Sequence, residues 1–118
     1  MAGKLSSDAR MKIAAIEDAR RQWDRIYALV EQLGSPSAGD AQALSGQIAR
    51  AAQSASRMFL TGGLGTMATE SDQLAVLARR GGSLQTKIRM MREVVASVRL
   101  NMERSQRAAE KDGQEPIT

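Results

Sequence analysis

The feature that most constrains this chain is a seam: Ile16, Ala19, Trp23, Ile26, Val30 and Leu33 follow one another at steps of 3, 4, 3, 4 and 3 residues. An α-helix turns about 100° per residue, so apolar groups alternating three and four apart stay on one side. That side has to be covered by a neighbouring helix. The pattern recurs twice. Leu44, Ile48, Ala51, Ala55 and Met58 repeat it, and Leu84, Ile88, Met91, Val95, Val98 and Met102 carry it furthest, at steps of 4, 3, 4, 3 and 4. No stretch alternates apolar and polar residues at the period of two that a half-buried strand requires.

Punctuation between the seams divides the chain into four helices. Ser6 or Ser7 suits the free amides of a helix start and Asp8 its positive end, and the first helix is predicted to run to Leu33, before Gly34. Residues 34–40 read as a turn, in which Ser37, three residues before Asp40, resembles a capping box. A second helix, from about Gly39 to Leu60, has a surface of small residues (Ala43, Gly46, Ala49, Ala52, Ser54, Ser56) that permits close approach, which places it inside the bundle. Gly62, Gly63 and Gly65 then break the chain, because each glycine costs roughly 1 kcal/mol in a helix relative to alanine. A short third helix, about Ala68 to Arg80, carries Leu74, Val76 and Leu77 and ends in cations before Gly81 and Gly82. Ser83 caps the last long helix, and from residue 110 to 118 the chain reads as a flexible polar tail. The expected architecture is all-α: one domain over residues 1–109, an antiparallel bundle of three long helices and one short helix with coiled-coil-like seams.

Composition argues against familiar catalysis. With no histidine and no cysteine among 118 residues, the commonest general base, the thiolate nucleophile and the usual transition-metal ligands are all missing. Carboxylates alone can do acid–base work, but Glu17 and Asp18 are adjacent and diverge on a helix. Glu70 and Asp72 stand about 200° apart on the helical wheel. The glycine-rich break before Thr66 lacks the lysine and the preceding strand of a nucleotide loop, so it reads as an interhelical turn. No catalytic, cofactor-binding or metal residue is assigned, and no small-molecule substrate is expected. The first ten residues lack the apolar core of a secretory signal and no run approaches the ~20 apolar residues of a membrane span, so a cytoplasmic protein with no membrane partner is expected.

The net charge of +4 is unevenly placed. Residues 1–78 balance eight basic against eight acidic groups, whereas residues 79–111 hold nine basic and three acidic ones. Part of that excess is expected to be answered within the last helix, through Arg89 with Glu93, Arg99 with Glu103 and Glu103 with Arg107, each pair four residues apart. Arg79, Arg80, Lys87, Arg89 and Arg92 are the candidates for contact with a phosphate backbone. The only aromatic residues are Trp23, Tyr27 and Phe59, so base stacking has little support. Residues 74–89 loosely suggest a helix-turn-helix with Ser83, Gln85, Lys87 and Arg89 at the start of a reading helix, but the turn is too long and the following helix too extended.

Two functions are expected. In the first, the seams pack partly within the chain and partly on a copy or another protein, since one short helix cannot cover rods of ~40 Å. This is a non-enzymatic assembly, adaptor or regulatory subunit. Its candidate contact residues are Met90 and Val94, which lie off the main seam, together with the stripe of Arg92 and Arg99. In the alternative, a basic helical module binds nucleic-acid backbone, alone or as a small subunit of a nucleoprotein complex.

Overall fold

The computed structural model describes residues 6–35 and 39–113, and every regular element among them is helical. The elements are α1 (Ser7–Leu33), α2 (Ala41–Thr61), α3 (Gly65–Arg79) and α4 (Leu84–Gly113). Ser6 caps α1 by accepting from the Ala9 amide at 3.1 Å, with Asp8 in the first turn. The α2 cap is Asp40 itself, whose carboxylate accepts from the Ala43 amide at 3.0 Å. Ser37, the predicted cap, lies outside the described residues. Met58 is only half-buried while Phe59 takes the core position at the end of α2.

The glycine break is tighter than the sequence suggests. The amides of Gly62, Gly63 and Leu64 bond back to Met58, Leu60 and Phe59, and α3 begins at Gly65 rather than near Ala68. Burial of Leu64 and Met67 offsets the cost of starting a helix on glycine. Gly62 has its own reason to lack a side chain: a Cβ there would lie 2.4 Å from the Cβ of Ala15, where the end of α2 meets α1. At the other end of the sequence α4 remains helical through Gly113, with Ala109 buried, past the boundary expected at residue 109. Residues 114–118 of the predicted tail lie outside the described residues.

Each helix packs on its two chain neighbours, with α4 closing the ring on α1, while α1 and α3, and likewise α2 and α4, do not come together at the backbone. Along the α1–α4 contact, Arg20 meets Gln106, Asp24 meets Arg99 and Glu31 meets Arg92, so partners descend α4 as they ascend α1. The described body measures 57 × 20 × 17 Å.

The seams meet inside one chain. Ile16, Ala19, Trp23, Ile26, Val30 and Leu33 are buried, as are Ile88, Met91, Val95, Val98 and Met102, and one continuous core joins them to α2 and α3. The unpaired seam expected to await a partner is therefore absent from the described residues. The reason is that α2 lies along α1 and α3 lies beside both α2 and α4, so the two helices pack side by side and cover the seams between them. Leu84 is the exception, standing 40% exposed at the start of α4. Trp23 is fully buried with its indole N–H unpartnered, an arrangement that costs on the order of 1–3 kcal/mol and is tolerated beside the area its ring removes from water. No helix is long and apolar enough among the described residues to cross a membrane.

Candidate functional site

The candidate residues lie on α4, at the last residue of α3 and on the turn between them, and helical periodicity sorts those of α4 into separate places. Two residues along a helix turn it by about 200°, so Met90 and Arg92 face nearly opposite ways. The four residues expected to form one contact site are divided accordingly. Arg92 and Arg99 lie against α1, and Met90 and Val94 lie against α3.

On the α1 flank, Arg92 donates through Nε to the Glu31 carboxylate at 2.8 Å. Arg99 reaches Asp24 at 3.9 Å and holds its guanidinium 4.8 Å from the centre of the Tyr27 ring. These are the two ion pairs among the described residues, and both join α4 to α1. The pairs expected within α4 (Arg89 with Glu93, Arg99 with Glu103, Glu103 with Arg107) do not form; Arg99 turns to Asp24 of α1 instead. Arg20 adds a hydrogen bond to Gln106 at 2.6 Å. Long side chains thus lie over this flank and shield the apolar groups beneath.

On the α3 flank, Met90 and Val94 face Val76 and Leu77 across a groove of about 500 Å³, with Asp72, Arg80 and Glu93 at its rim. Val76 is 60% exposed and Met90 38%. Val76 was expected to contribute to the apolar content of α3, yet the buried positions of that helix are Met67, Ala68, Ser71, Leu74, Ala75 and Ala78. Further along, Glu70 accepts from Ser97 at 2.6 Å and from Asn101 at 2.8 Å, which fixes the lateral position of the two helices beside the groove. Glu70 is thereby a structural carboxylate.

The phosphate candidates divide as well. Arg79, Arg80 and Lys87 converge on a second concavity, also about 500 Å³, bounded by Gln42 and Ser45 of α2. Lys87 donates to Ser45 at 3.2 Å and Arg79 to Gln53 at 3.4 Å. Arg92 belongs to the α1 flank, and Arg89 is exposed on the outer surface, about 200° around the helix from Lys87. Lys87 therefore points across the bundle toward α2. The helix-turn-helix suggestion required it to present itself outward beside Arg89.

Four residues that line the concavities are not assigned to a site by the sequence. Val76 and Leu77 could have been found from α3 alone, since the buried set 67, 68, 71, 74, 75 and 78 leaves 76 outside the stripe. Ser45 and Gln42 gave no local signal, because only tertiary packing brings the first turns of α2 beside the turn between α3 and α4. Comparison with known proteins returns no match to a family model, to a curated protein or to a solved structure.

Proposed function

We propose that the chain is a non-enzymatic helical interaction protein, an assembly, adaptor or regulatory subunit that acts in the cytoplasm through contacts made by the groove between α3 and α4. The observation that carries this reading is the groove itself: Val76, Leu77, Met90 and Val94 form an apolar floor in a bundle whose seams are otherwise internally paired. A furrow between two helices suits the apolar face of a third, and methionine adapts to the shape of whatever enters. The reading takes the bundle as antiparallel with coiled-coil-like seams, supported by the descending register between α1 and α4.

The rim favours a second copy as occupant. Asp72 and Arg80 stand four residues either side of Val76, so a two-fold axis through Val76 brings each Arg80 to the other copy's Asp72. Light scattering across a micromolar concentration series is expected to show a dimer that Val76→Glu and Met90→Glu convert to monomer while helicity is unchanged. A wild-type chain that stays monomeric throughout and binds no protein partner sinks the proposal. The nucleic-acid alternative is served less well, because its five cations do not line one continuous track.

A further inference from the structure

The cleft between the first turns of α2 and the corner joining α3 to α4 has a chemistry unlike the groove. Arg79, Arg80 and Lys87 line it, and neither Asp nor Glu is among its described lining residues. Three cations around one concavity repel one another, and low-dielectric walls strengthen the field inside it. The nearest acid in sequence, Asp40, is occupied in capping α2 at 3.0 Å from the Ala43 amide. On the α1 flank, by contrast, Arg92 is answered by Glu31 and Arg99 by Asp24. In the cleft Arg79 and Lys87 donate to neutral acceptors, Gln53 and Ser45. Neutral acceptors orient a cation without cancelling its charge.

We propose that this cleft binds a compact polyphosphate group, the di- or triphosphate moiety of a small ligand. The residue types match that chemistry. A guanidinium presents paired N–H donors to two phosphate oxygens, and an ammonium supplies a point charge to a third. A volume near 500 Å³ bounded on three sides suits a short, densely charged group, whereas an extended backbone needs cations in a line. Arg89 and Arg92, which would have to prolong such a line, turn away. This inference shares Arg80 with the groove and rests on Arg79 and Lys87, which do not line the groove, so it does not depend on self-association.

The test is calorimetric titration of the folded full chain at low salt with inorganic tripolyphosphate. Saturable binding of one tripolyphosphate per chain is expected, weakened roughly tenfold or more by Arg79→Gln and by Lys87→Gln, since a charge-assisted hydrogen bond is lost in each. Arg107→Gln removes the same charge about 30 Å along α4 from Lys87 and is expected to change affinity less than about twofold. Arg80 lines both the cleft and the groove and is left intact, so loss of dimerisation cannot be mistaken for loss of anion binding. Arg79 is exposed, so its result stands even if removing the half-buried Lys87 amine lowers helicity. Absence of binding, equal weakening by all three substitutions, or binding only to oligonucleotides with affinity that grows with their length overturns the proposal.

Discussion

The two flanks of α4 lie in the same helix and meet the same core, yet one is bridged by side chains down to a hollow of about 230 Å³ and the other opens into a groove of about 500 Å³. Toward α1, two long helices run side by side, and Arg92, Arg99 and Arg20 reach across to Glu31, Asp24 and Gln106. Toward α3, the neighbour has 15 residues against 30 in α4, and the groove's own polar residues do not cover Val76 or Met90. The difference teaches that a seam of period 3.5 only secures the line of closest contact. Whether the flanking positions are sealed depends on the length and charge of the side chains that the neighbouring helix presents there.

That contrast can be broken most sharply at two adjacent methionines. Met91 is fully buried between the flanks and Met90 opens onto the groove. Met91→Ala is expected to cost about 2–5 kcal/mol in denaturant unfolding and Met90→Ala less than about 1 kcal/mol. Equal losses would mean that the groove is part of the core. The two glycine turns offer a second, smaller contrast. Gly62→Ala forces a methyl to within 2.4 Å of the Ala15 Cβ and is expected to cost about 1–3 kcal/mol, whereas Gly81→Ala, with open space around the added Cβ, should stay within about 0.5 kcal/mol in the same unfolding assay. A neutral Gly62→Ala would show that the α1–α2 contact yields easily.

The smallest effect belongs to the bridged flank's rim. Arg92 and Glu31 are both substantially solvated, with side chains 54% and 40% exposed, so Arg92→Gln is expected to cost under about 1 kcal/mol, and less at high salt. A salt-independent loss greater than that would assign the pair a packing role beyond its charge. The rim seals by covering, and its ions add little.

Much of this architecture is legible in local pattern. Ser6 caps α1 as side-chain capping preference requires and Gly34 follows its last residue, and five of the six α4 seam residues are buried, because a side chain's direction on a helix follows from its sequence position alone. Errors occur where two influences compete. Gly65 enters α3 despite its propensity because Leu64 and Met67 gain burial there, and Val76 is exposed because the stripe of α3 that meets α2 and α4 runs through Leu74, Ala75 and Ala78. The charge excess of residues 79–111 is equally visible, but Arg99 pairs with Asp24 of α1 and not with Glu103 four residues away, because a carboxylate on a neighbouring helix gives no local signal.

The amino-acid sequence by itself determined that the chain would form helices, where most of them would begin and end, and which stripes would be apolar, because propensity, capping and the 3.6-residue turn act over a few residues at a time. Only the tertiary structure decided what those stripes meet. It paired the seams within one chain, divided Met90 and Val94 from Arg92 and Arg99, and drew Arg79, Arg80 and Lys87 together beside the start of α2. Side-chain direction is a local property, but the neighbour it meets depends on how distant helices stack.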